Sequence, residues 1–159
     1  MKSKTTPLIL TLLLLLITTS TIAQNEKIKK PFPSEISKKV KFGMSKTEFL
    51  NKFPDAEIVA EESFRTTVYQ KTGNRDVTGI GYYFGTKDNE PLYEIIVNFN
   101  SESMAESRAL ELLKQANFKN KEWRYTYKKR PLWCWVYKAK IVYVARIPGT
   151  EWYEDWDRN

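Results

Sequence analysis

No histidine occurs among the 159 residues, and there is one cysteine. Without imidazole the chain has no Ser-His-Asp triad, no ordinary base titrating near neutral pH and few ways to build a zinc site. A single thiol can neither close an internal disulfide nor assemble a thiolate metal cluster. No glycine-rich phosphate cradle of the Walker type is present. These absences leave carboxylates as the remaining catalytic chemistry, because a glycosidase-like pair needs only two Asp/Glu at the right separation. Glu61-Glu62 and Glu151, Glu154, Asp155 and Asp157 are the candidates, and their positions read as solvated surface charge. We expect no enzyme, no metal and no cofactor.

Long hydrophobic runs are also scarce. The only one, Leu8 to Ile17, is broken once by Thr11. It follows Lys2 and Lys4 and precedes Thr21-Ile22-Ala23, which is the layout of a secretory signal peptide with small residues at its cleavage positions. A spanning helix needs roughly 20 apolar residues, about twice this run. We therefore expect residues 1–23 to be a signal peptide, the mature chain to start at Gln24, and no membrane span to remain after cleavage. The expected location is exported, periplasmic or secreted, in a bacterial envelope. Without the two leader lysines there are 24 basic and 19 acidic residues, a net +5. That balance suits solubility and acidic partners. Export argues against nucleic acid.

What is present fits one folded domain. Hydrophobic residues make up 42% of the chain, enough to fold. Residues 24–41 are rich in Lys, carry Pro31 and Pro33 and show little periodicity. They predict an extended, mostly mobile basic lead-in to a domain over 42–159. A polybasic surface tether is the functional alternative. Ser45-Lys46-Thr47-Glu48 is a capping box. It opens a short helix with Phe49, Leu50 and Phe53 on one stripe, stopped by Pro54.

Three strands are expected next: Ile58 to Lys71, Val77 to Gly85 and Leu92 to Asn100, separated by turn clusters at 72–76 and 86–91. On the third, Tyr93, Ile95, Val97 and Phe99 form a core side, while Glu94 and Asn98 fall on a wetter side. A second helix is expected from about Met104 to Ala116, capped at Ser103, with Ala105, Ala109, Leu112, Leu113 and Ala116 at helical spacing and Leu110 at the edge of the stripe.

The stretch Glu122 to Ile147 holds three of the five tryptophans, four of the nine tyrosines, seven Lys/Arg and Cys134. It reads as a three-stranded aromatic meander, with a turn at Lys129-Arg130-Pro131 and either a turn or a continuous strand at Lys138 to Lys140. Cys134, between two tryptophans, is expected to be buried and inert. The expected fold is α+β: a two-layer sandwich, with an antiparallel sheet of about six strands and two helices on one face. A helix with three strands would occur twice, with Met44/Met104 and Leu50/Leu110 both 60 residues apart.

Gly43-Met44-Ser45-Lys46, Glu48 and Lys52-Phe53-Pro54, after a basic segment and a signal peptide, resemble the segment leading into the helix in exported BamE/SmpA-type proteins. The repeated helix-plus-strands layout is similar to that of β-lactamase-inhibitor-protein domains. The resemblance implies a two-layer α/β fold that binds proteins and catalyses nothing. No Cys follows Ala23 for lipid attachment, a departure from the BamE type.

The candidate binding surface is Trp123, Arg124, Tyr125, Lys128, Arg130, Trp133, Trp135 and Tyr137. Rigid aromatics give large contact area at low entropic cost, and interleaved Arg and Lys suit an acidic partner. The same side chains could instead be core, since the domain has no disulfide to hold it. The function expected is an exported, non-catalytic binding or envelope-associated protein, such as a protein–protein adaptor or inhibitor. A glycan- or cell-wall-binding module and a small carboxylate-dependent hydrolase are the alternatives. The partner is an unknown protein or envelope glycan.

Overall fold

The computed structural model describes residues 26–157; the signal segment lies outside the described residues. The elements in chain order are α1 (Lys46–Lys52), β1 (Glu57–Glu61), β2 (Arg65–Lys71), β3 (Val77–Gly85), β4 (Leu92–Phe99), α2 (Glu102–Leu113), β5 (Glu122–Tyr127), β6 (Arg130–Tyr137) and β7 (Lys140–Ala145). All seven strands join one antiparallel sheet in the order β1-β2-β3-β4-β7-β6-β5. The expected six-stranded sandwich with two helices on one face is therefore corrected. The domain is mostly sheet, its α-helices are only 7 and 12 residues long, and the lead-in and the C-terminal tail, which ends in a 3-10 helix at Asp155–Asp157, share the work of covering the sheet.

The seventh strand comes from a hairpin that composition hid. Ile58 to Lys71 was expected as one strand. Instead the chain turns at Glu62 to Phe64, where the Glu62 N–H donates to the Arg65 carbonyl (2.8 Å). No Gly or Pro marks this turn, so the break is invisible to turn chemistry. The helix–three strands repeat is corrected with it, because four strands follow α1 and three follow α2. The 60-residue offset does not match the helix starts either. Ser45 caps α1, with its hydroxyl accepting the Glu48 N–H (3.1 Å). Ser101, not Ser103, caps α2 by accepting the Met104 N–H (3.3 Å).

Cross-strand registers define what each face carries, since paired residues point the same way. One row runs Val68, Tyr82, Ile95, Tyr143, Cys134 and Trp123. Every member is buried, and this face holds the main core. Phe49 of α1 packs its ring on Tyr82 and Phe84, at 4.5 and 5.4 Å between centroids. Ala105, Ala109 and Leu113 of α2 are fully buried at i, i+4, i+8. Alanine there lets the helix lie close to the sheet.

The basic lead-in, expected to be mobile, is docked over its described residues. Phe32 sets its ring against Phe42, Tyr127 and Tyr143 (4.9–5.9 Å), and Ile36 and Val40 are buried. Apolar residues spaced four apart within a lysine-rich stretch were enough to fasten it.

The two ends of the sheet differ. β5 is a covered edge. Glu122 exchanges backbone hydrogen bonds with Phe118 and Lys119, and the Asn117 amide bonds both the N–H and the carbonyl of Arg124. Thr126 pairs with Glu26 and Ile28. β1 pairs with β2 alone. All five of its residues are exposed, and a bulge interrupts it between Ile58 and Ala60.

Two hairpins turn tightly. Lys128 and Lys129 both take positive φ (47° and 68°), so that turn lies one residue earlier than expected, and Arg130 and Pro131 belong to β6. Lys138, at φ 52°, turns β6 into β7, resolving that junction as a turn.

Candidate functional site

Among the described residues, no α-helix covers the sheet face opposite the main core; only the C-terminal tail, ending in a 3-10 helix at Asp155–Asp157, lies on part of it. Its central row runs Thr67, Tyr83, Glu94, Val144, Trp133 and Arg124, and the next runs Tyr69, Gly81, Ile96, Val142, Trp135 and Glu122. At the β2–β3 end the face is glycine-floored. A Cβ on Gly79 would meet the Tyr69 hydroxyl at 1.9 Å, so only glycine lets that ring lie flat on the sheet. At the β6 end, the C-terminal tail folds back over the strands. It turns at Gly149 (φ 76°), and the Thr150 N–H and hydroxyl both bond the Ile147 carbonyl. Trp152 and Trp156 thereby reach Trp133, edge to face at 6.2 and 6.0 Å. Trp135 stands 5.0 Å from Trp133 and 5.3 Å from Trp152.

A polar network occupies the middle. The Trp152 indole N–H donates to a Glu94 carboxylate oxygen (3.1 Å), and the Tyr93 hydroxyl donates to Glu151 (2.9 Å). Arg65 bonds Glu62 at 2.5 Å and reaches Glu151 at 3.5 Å, with its guanidinium 5.2 Å from the Tyr83 ring. Glu94 is 4% exposed. Burial pushes its carboxyl up to about 7 and Glu151 adds to the rise, while the Trp152 hydrogen bond and Arg65 oppose it. Burial, followed by the negative field of Glu94, also raises Tyr83 and Tyr93. A strongly perturbed carboxyl beside aromatic side chains marks this face as the candidate site.

The eight residues proposed from sequence do not form one surface. Trp123 and Tyr125 are buried on the main-core face, where the indole N–H and the phenol donate to the Lys114 and Leu113 carbonyls at the end of α2. Arg124 is 2% exposed, with its guanidinium 3.9 Å from the Phe118 ring and 4.8 Å from Trp133. Trp133 is 7% exposed and donates to Glu122 (3.1 Å). Trp135 is half-buried on the open face, and Tyr137 is 55% exposed. Lys128 sits in the β5–β6 turn, and Arg130 lies over Gly43. Of the eight, only Trp135 and Tyr137 offer exposed aromatic surface.

Glu94, Tyr83, Tyr69 and Trp152 were missed. The available signal was Glu94 on a polar phase of an otherwise apolar strand. Among the other proposed carboxylates, Glu61 lies within 3.8 Å of Lys46 and is exposed. Glu62 and Glu151, both bonded to Arg65, join the network. Cys134 is fully buried and burial holds its thiol well above the usual range, so it offers no thiolate. Among the described residues, no group of three His, Cys, Asp or Glu side chains is placed to hold a metal ion, and no helix is long and apolar enough to cross a membrane.

No protein-family model matches the chain, and neither a curated protein nor a solved structure matches it.

Proposed function

We propose that this is an exported, non-catalytic binding protein that takes its partner on the open face of the sheet. The observation that carries this reading is the part of this face that the tail leaves open. Tyr69, Tyr83, Trp135 and Trp152 stand half-buried on it, backed by a rigid seven-stranded sheet. Half-buried aromatics on a stiff support are the side chains that contribute most to binding energy per residue.

The carboxylate-hydrolase alternative fits less well. Glu94 is covered, and its carboxylate accepts the Trp152 indole N–H. A general acid needs reach to substrate. Between a protein and an envelope glycan, ring geometry favours a protein. Trp135 is tilted 53° from Trp133 and 66° from Trp152, so the rings make no coplanar platform for successive sugars.

The experiment compares wild type with Trp135→Ala and Tyr83→Ala in binding to envelope proteins and to isolated cell wall. Circular dichroism and thermal melting confirm that each variant is folded. Loss of protein capture by folded variants is the expected result. Unchanged capture by both variants sinks the reading, and loss of cell-wall binding alone moves the partner to the glycan class.

A further inference from the structure

On the main-core side, remote from the open face, the docked lead-in builds a second site. Between residues 29–40, Leu112 of α2 and the β5–β6 turn lies a trough of about 560 Å³. That volume is in the range of small-molecule sites, roughly 300–1,000 Å³. Its floor is apolar: Phe32, Ile36, Val40, Leu112 and Tyr127. Lys29, Lys30, Lys38 and Lys128 line it as well, all four exposed, and no carboxylate does. Glu35, the one acid within this segment, does not line the trough; its carboxylate accepts hydrogen bonds from Asn74 (2.5 Å) and from Ser34 (3.2 Å), which does.

We propose that this trough binds a single-chain amphiphile with an anionic head group. An apolar floor beside four exposed cations, with no carboxylate in the lining, matches both ends of such a molecule. Burying the chain supplies the driving force. The lysines select the charged head and lower affinity for an uncharged one. The backbone of this segment is held at both ends, by Ile28 to Thr126 and by Gly43 to Leu92 (3.1 and 2.8 Å), so the trough is preformed.

The test uses the purified protein and dodecanoate below its micelle concentration. Binding is followed by two-dimensional NMR, with 1-dodecanol and a Glu-rich peptide as comparisons. Saturable shifts confined to residues of the trough are expected, with dodecanol the weaker ligand. The double variant Lys30→Glu/Lys128→Glu changes only exposed side chains and should weaken dodecanoate by roughly tenfold while melting like wild type. Ser37→Trp, which fills the trough, should abolish binding. The proposal is overturned if dodecanoate gives no saturable shift or if shifts spread over the whole surface. Equal binding of dodecanol, or indifference to the charge reversal, overturns it as well. Capture of the Glu-rich peptide without dodecanoate binding would replace the amphiphile with an acidic protein. The Trp135 and Tyr83 variants leave this site untouched, so it stands or falls separately from the open-face function.

Discussion

The two faces of one sheet are built to different rules. On one, an unbroken apolar layer runs from Val68 on β2 to Trp123 on β5, sealed by Phe49, by the alanines of α2 and by Phe32. On the other, the apolar cluster shrinks to Trp133, Val142, Val144 and Trp156, and the remainder is glycine, polar side chains and half-covered rings. Strand alternation makes both patterns from the same residues in order. The difference separates tasks. The first face carries stability, and the second is free to hold groups that fold poorly on their own account, such as a buried carboxyl.

The largest effect should come from the sealed face. Phe49→Ala removes a fully buried ring packed on Tyr82, Phe84 and Phe53 and should cost about 4 kcal/mol in urea unfolding. Trp133→Ala strikes the smaller cluster, where the ring is 7% exposed. It should cost about 3 kcal/mol, at the low end for such truncations. Equal losses at the two sites would dissolve the contrast between the faces.

Glu94 sharpens it further. Its carboxyl is raised from an ordinary 4.5 to about 7, so the folded chain holds this proton more tightly than the unfolded chain does. The stability it contributes is complete below pH 4.5 and is lost as pH rises through 7. Glu94→Gln should flatten that slope and, at pH 8, stabilise the fold by up to about 3 kcal/mol. A slope in this window that survives the substitution rules Glu94 out as its source. The smallest effect concerns neither face. Lys129, held at φ 68° in the β5–β6 turn, should gain about 0.5–1 kcal/mol on replacement by Gly, read as a higher melting temperature.

The strongly periodic parts of the chain could be read in advance. The phases of β3, β4, β6 and β7, the Ser45 cap and the α2 stripe all follow from spacing. What spacing could not reach was pairing. Trp123 and Trp133 look alike in sequence, yet the register sets Trp123 opposite Cys134 and Trp133 opposite Arg124, which sends the two tryptophans to opposite faces. A single turn position decides that. The docked lead-in and the folded-back tail escaped for another reason. Each is a charged segment with a few apolar residues, and whether it docks depends on a surface assembled from distant strands. The site was legible at Trp135 and Tyr137 and at the carboxylates Glu62 and Glu151, but not at Glu94, because a buried carboxyl is defined by what folds over it.

The unequal edges set a limit on assembly. Copies of a chain with two open strand edges can add end to end without stopping. Here the backbone groups of Glu122, Arg124 and Thr126 are already bonded within the chain, and among the described residues only Glu57–Glu61 presents a free edge. Strand-to-strand joining through this sheet can therefore unite two molecules across β1 and ends there, because the described sheet then has no unsatisfied edge left to extend. The geometry that exposes one strand also stops edge-to-edge extension of this sheet at a pair.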